Sequence, residues 1–164
     1  MSEFGEIYER HSKDVFRFAL YLSGNRAEAE DITSETFVRA WTAPGRIEAA
    51  TLKGYLFTIA RHLYLRSLRR RAREVALDNA LSETLRDPLA GPYTAVEQGA
   101  ELARVMAALQ RLPEPDRAAL IMRAMDELPY DEIALALGIT PVSARVKVHR
   151  ARLALLEVKH EGAT

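Results

Sequence analysis

Apolar residues recur along this chain at intervals of three and four, and nowhere alternate with polar ones over the length of a strand. In the first third, Ile7, His11, Val15, Phe18 and Leu22 fall on one stripe, which predicts a helix from about Phe4 to Ser23 that ends near Gly24. A second helix is expected from about Arg26 to Trp41, before the Pro44-Gly45 break, with Ala29, Ile32, Thr36, Phe37 and Ala40 turned inward. A third starts near Leu52 and buries Leu56, Ile59, Ala60 and Leu63. From about Val75 to Gln98 the periodicity decays, and Pro88, Gly91 and Pro92 interrupt it, so this stretch reads as a linker with one irregular helical turn. The helical pattern then returns over about Gln98 to Arg111 and Pro115 to Met125, followed by two further helices. The expected fold is all-α, with a three-helix N-terminal bundle (1–74), an acidic linker (75–98) and a four-helix C-terminal domain (99–160).

The last two helices form the most specific pattern. In Pro129 to Leu156, Ile133, Ala134 and Leu137 stripe a short helix, Gly138 ends it, and Ile139 plugs the corner. Thr140 then caps a second helix whose first position is Pro141, where a missing N–H costs nothing. Ala144, Val148, Ala151 and Leu155 share its inner stripe. Val142, Ser143, Val146, His149 and Arg150 point away, with Arg145 on the flank and Lys147 and Arg152 placed for phosphates. No acid stands between Glu132 and Glu157, so the pair reads as a helix-turn-helix with a cationic second helix, sized for a major groove. A solvated basic face on an ordinary amphipathic helix is the plainer alternative.

Formal net charge is zero, which by itself argues against nucleic acid, but the charges are segregated. Between Ala49 and Arg73 stand Lys53, Arg61, Arg66, Arg69, Arg70, Arg71 and Arg73 with no acid; from Glu74 to Glu101 six acids face Arg86 alone. Such a chain should bind DNA weakly unaided, because its acidic parts oppose the approach its basic parts favour. Asp31, Ser34, Glu35 and Val38 recur at helical spacing on the outer face of the second helix, an acidic patch with an apolar centre that suits a basic partner helix or is simply solvated.

Catalysis is not indicated. His11, His62, His149 and His160 are scattered over different elements, no carboxylate set has metal-ligand spacing, and no glycine-rich phosphate loop occurs, so neither metal nor cofactor nor small-molecule substrate is expected. His11, on an apolar stripe, reads as a core residue. The chain has no cysteine, which fits a reducing cytoplasm, and no signal peptide or long apolar run that would insert in a membrane.

Three stretches in order, DITSETFVRAW from Asp31, LKGYLFTIARHLYLRSLRRR from Leu52 and LPEPDRAALIMRAMDELPYDEIALALGITPVSARVKVHRAR from Leu112, resemble the extracytoplasmic-function sigma factors, the compact two-domain members of the bacterial sigma family. The resemblance implies a transcription initiation factor that brings core RNA polymerase to promoters, with region 2-like and region 4-like halves and chemistry left to the polymerase. It implies polymerase binding by Asp31, Ser34, Glu35, Val38 and Arg39. The minus-10 DNA would meet the Thr42–Thr51 loop with Arg46, then Leu52, Lys53, Tyr55, Arg61, His62, Arg66, Arg69 and Arg70. The minus-35 DNA would meet Ser143, Arg145, Val146, Lys147, His149 and Arg150. An anti-sigma factor is implied as a further partner, and sensing would reside there. Three positions depart from the family's pattern: Ser34 replaces a glutamine, Pro129 a Ser or Thr cap, and Val146 a small polar residue, which makes one base contact apolar. A sigma-like decoy that only binds an anti-sigma factor is the nearest rival, and the retained arginines argue against it. A dimeric repressor would need an exposed apolar dimer surface, which the pattern does not supply.

Overall fold

The computed structural model describes residues 3–42, 50–81 and 99–163. The expected Arg46, most of its loop and most of the linker lie outside these residues. Among the described residues there are seven helices and no strand: α1 (Glu3–Ser23), α2 (Arg26–Thr42), α3 (Leu52–Leu81), α4 (Ala100–Arg111), α5 (Glu114–Asp126), α6 (Tyr130–Leu137) and α7 (Pro141–Ala163).

Helices α1 to α3 form the N-terminal bundle. Val15, Phe18, Ala19 and Leu22 of α1 meet Ala29, Ile32 and Phe37 of α2 and Leu56, Phe57, Ala60 and Tyr64 of α3, and the Phe18 and Phe57 rings stack with centroids 4.8 Å apart. Side-chain caps set the starts: the Glu28 amide donates to Asn25 Oδ1 at 3.0 Å, and the Gly54 amide to Thr51 Oγ1 at 3.1 Å. Two threonines sit on the buried face of α2 at little cost, because Thr33 and Thr36 donate back to the carbonyls of Ala29 and Ile32. His11 is only half-buried, outside the sealed core where the pattern placed it; burial, then Lys53, lowers its pKa. The third helix outruns its expectation, continuing past Arg73 to Leu81 into the stretch read as linker. Ala72, Ala76 and Leu77 are good helix formers, and that local preference holds where the core-facing pattern has faded.

Helices α4 to α7 pack around Met106, Leu109, Leu120, Ile121, Met122, Ile133, Ala144, Val148 and Ala151, which continue the buried cluster of the N-terminal bundle. The helix-turn-helix follows its sequence signals. Gly138 adopts φ 70°, the left-handed turn that glycine takes without a Cβ clash, and the Ile139 amide closes onto Ala134 O at 3.0 Å. Thr140 caps α7 by accepting the Ser143 amide at 3.1 Å. Pro129 gives α6 no side-chain cap; its carbonyl accepts the amides of Glu132 and Ile133 instead.

The two halves touch. Helix α1 lies against α4 and α5, and α3 lies against α6, so the two halves are closed on one another. Gln110 donates to Tyr21 O at 2.8 Å, Arg117 Nη2 donates to Tyr64 Oη at 3.0 Å, and the Thr51 hydroxyl bonds the Glu132 carboxylate.

Glu127 ends α5 at φ 53°, a left-handed conformation that a side chain occupies only at a cost of about 1 kcal/mol relative to glycine. Its side chain is exposed, so Glu127→Gly should stabilise the fold by roughly 0.5–1 kcal/mol. Chemical denaturation measures this, and a loss of stability would mean that the Glu127 side chain contributes more than its backbone strain costs.

Candidate nucleic-acid interface

The outer face of α2 is as the pattern predicts. Asp31, Ser34, Glu35 and Val38 are all exposed, with Val38 at 52% accessibility, because the opposite residues fill the bundle core. Arg39 is not independent of this face: its Nε donates to Glu35 Oε1 at 3.1 Å, one turn back. A hollow of about 970 Å³ runs between α2 and α3, with Asp31 and Glu35 on one wall and Arg66 and Arg70 on the other. The acidic patch and the arginine cluster, separate in the sequence, thus share one groove. Arg71 lines it too, but is held by Glu28 at 2.6 Å.

The remaining candidates on α3 divide into two sets. Leu52, His62, Arg66, Arg69 and Arg70 are exposed, and burial, followed by Arg61 and Arg69, lowers the His62 pKa. Tyr55 is half-buried. Arg61 and Lys53 turn toward the other half of the molecule. Arg61 is buried, and its Nε and Nη2 donate to Glu114 Oε2 and Oε1 at 2.8 and 2.7 Å, a fork-to-fork pair from α3 to α5. Lys53 Nζ lies 3.3 Å from Asp14 and 3.8 Å from Asp126, and Arg17 also donates to Asp126 at 3.2 Å. Burial raises the Asp126 pKa despite these cations, and its Oδ2 finds no partner among the described residues. The expected placement of Arg61 on an open DNA-facing surface therefore does not hold in this closed arrangement: a carboxylate 53 positions away competes for it.

On α7, Val142, Arg145, Val146, His149 and Arg150 are exposed, while Ser143 and Lys147 are half-buried. Their directions follow from the inner stripe of Ala144, Val148 and Ala151, each fully buried. Two partners were missed by sequence reasoning. Tyr130 lies between two guanidinium groups, with Arg123 Cζ 4.6 Å and Arg145 Cζ 5.2 Å from its ring centroid. Asp116 of α5, only 2% accessible, accepts Nε and Nη2 of Arg150 at 2.8 and 3.0 Å, and these bonds raise the Arg150 pKa. The available signal was an acid set in the apolar run EPDRAALIM, whose helical phase puts Asp116 on the buried side.

A second groove, of about 850 Å³, is apolar and lies between α4, α5 and α7, lined by Leu102, Val105, Leu109, Ile121, Leu155 and Leu156. The described residues contain no cluster of acids and histidines able to hold a metal ion, and no helix among them is long and apolar enough to cross a membrane.

Two family models match the chain: Sigma-70 region 2 over residues 7–74, and Sigma-70 region 4 over residues 102–155. The chain is similar to the ECF RNA polymerase sigma factor SigL of Mycobacterium tuberculosis, with 32% identity over 163 residues that cover 96% of this chain and 90% of the relative. It is also similar to the ECF RNA polymerase sigma factor SigE of Mycolicibacterium smegmatis, 33% identical over 171 residues; the match takes in all of this chain and 65% of SigE, just under two thirds of that relative. Among solved structures, the sigma factor RpoE in complex with the anti-sigma factor NepR from Bartonella quintana superimposes with a TM-score of 0.78 at 26% identity, covering 98% of both chains.

The Arg61–Glu114 pair should govern how tightly the halves close. Both side chains are nearly buried, at 11% and 13% accessibility, so Glu114→Gln should weaken the closed arrangement by about 2 kcal/mol. Because the natural chain has no cysteine, one introduced on α2 and one on α7 can carry fluorophores; energy transfer should fall in the variant, and unchanged transfer would show that the pair does not hold the halves together.

Proposed function

Because the chain belongs to the extracytoplasmic-function sigma factors, we propose that it directs core RNA polymerase to a set of promoters through two DNA-binding surfaces that its own acids hold back until polymerase engages it. The observation that carries this reading is a cationic helix-turn-helix in the same chain as an acidic, apolar-centred helix face. A free DNA-binding protein has no use for the second, and a polymerase adaptor needs both. Residues 1–74 would act as the half that binds polymerase and the minus-10 element, and 99–160 as the half that binds the minus-35 element.

In this reading Asp31, Glu35 and Val38, with Arg39 steering Glu35, dock on a basic helical surface of the polymerase. The exposed Arg66, Arg69 and Arg70 lie beside that face and hold promoter backbone near the opened strands. Arg61 joins them once the halves part, while Lys53 keeps Asp14 of its own half at 3.3 Å. Helix α7 enters the major groove, where Arg145 and Arg150 suit guanine edges and Val146, 52% accessible, suits a thymine methyl. The protein supplies recognition and strand capture and performs no bond chemistry itself. It works in the cytoplasm, alongside its polymerase and promoters. An anti-sigma factor is a fitting regulator: the Bartonella RpoE fold is seen bound to one, and the apolar groove beside α7 offers a surface to cover.

The closed form supports the expectation that the free chain binds DNA weakly. Its acids occupy Arg61 and Lys53, so promoter binding must first displace those contacts, and polymerase binding supplies the free energy to do so. A decoy that sequesters an anti-sigma factor would have no need for the exposed arginines on α3 or the cationic face of α7.

Run-off transcription with core polymerase on genomic fragments tests the proposal. Added protein should create new, discrete start sites, and Glu35→Arg should weaken its affinity for core polymerase roughly tenfold or more by opposing a basic surface. An absence of new start sites with polymerase still bound would favour the decoy. Undiminished affinity in the variant would remove Glu35 from the interface.

A further inference from the structure

Asp116 is the most deeply buried acid that takes a cation from the DNA-reading helix, and its geometry is not explained by a need for stability. A carboxylate withdrawn from water is costly unless its oxygens are satisfied, and exchanging such a pair for apolar residues is often neutral or better for a fold. Here the side chain is 3% accessible, yet both oxygens go to Arg150, whose own side chain is 59% accessible and points away from the core. A buried anchor is bonded to an exposed head.

The bonds also select which part of that head is free. Nε and Nη2 are taken by Asp116 at 2.8 and 3.0 Å. The outer edge, formed by Nη1 and the remaining proton of Nη2, is left facing outward, and this edge matches the paired acceptors O6 and N7 of guanine. An unrestrained arginine would have to be ordered on binding, whereas this one has its guanidinium plane set beforehand. The pairing also offsets the charge of Arg150, so its contribution comes from direction more than from attraction to phosphate.

We propose that Asp116 is a positioning residue for promoter recognition: it fixes the guanidinium plane of Arg150 so that the outer edge meets a guanine in the upstream element. This rests on the reading of α7 as the promoter-reading helix. It adds a specificity determinant that lies on a different helix and does not itself approach DNA.

The test uses polymerase reconstituted with the full chain, and promoters in which each upstream base pair is changed in turn. Arg150→Ala locates the pair that this arginine reads, where the wild type should discriminate roughly 5- to 150-fold. Asp116→Asn should lose most of the discrimination at that pair alone, with affinity for non-promoter DNA unchanged or raised, since a negative charge has gone. In Arg150→Ala, adding Asp116→Asn should cause no further loss. A merely structural Asp116 would lower binding to all sequences together, and that result, or full discrimination in Asp116→Asn, overturns the proposal. If Asp116→Asn does not fold, Arg150→Lys replaces it: the surface change keeps the charge but cannot form the planar two-bond grip, so it should lose discrimination while keeping the salt dependence. Wild-type discrimination in Arg150→Lys would overturn the proposal. Should Arg150→Ala lose nothing at any base pair, the promoter-reading role of Arg150 fails, a result distinct from a failure of Asp116 alone.

Discussion

The acids of α5 organise this molecule. Glu114 and Asp116 stand two positions apart and so leave the helix in different directions, the first toward Arg61 of the N-terminal bundle and the second toward Arg150 of the reading helix. Asp126, at the far end, draws on Arg17 and Lys53. This helix thereby contributes to joining the two halves, alongside the α1–α4 and α3–α6 contacts, and braces the helix-turn-helix. Its neighbour Arg117 extends the same junction, donating to Leu112 O at 2.9 Å at the end of α4 and to Tyr64 Oη across the boundary. For the Arg61–Glu114 pair, nearly buried on both sides, desolvation consumes much of what Coulomb attraction returns, so the pair serves to specify the arrangement more than to stabilise it.

That property suits a protein that must change shape. The buried apolar residues of the two halves form one continuous cluster, and the polar contacts around it set how the halves meet. The polar contacts across the junction are specific but can be exchanged: in the proposed function, Glu114 and Asp126 hold Arg61 and Lys53 until polymerase engages the chain.

Local structure was legible in the sequence because it is written at helical spacing. The inner stripe Ala144, Val148 and Ala151 and the outer set Asp31, Ser34, Glu35 and Val38 are both where periodicity put them, and Gly138 and Thr140 bound the helix-turn-helix as their chemistry requires. What periodicity does not carry is a partner on a distant element. Arg61 sits in a basic run and reads as one more DNA-facing cation, since nothing near it in the sequence marks Glu114 as its mate. Glu114 and Asp116 stand in the first turn of α5, where helix N-termini favour acids in any case, so their presence there does not point to a distant partner. The shared groove of α2 and α3 was hidden for the same reason: each wall was visible, but not their apposition. The overrun of α3 to Leu81 reflects a helix continued by local preference after its buried face has ended.

Footprinting of promoter DNA by the chain alone, by core polymerase alone and by the two together measures the central claim most directly. Protection of both promoter elements should appear only with the two together, at concentrations where neither protects by itself. Protection of the same elements at the same concentration by the chain alone would contradict the account, because Glu114 and Asp126 would then not be restraining its DNA-binding surfaces.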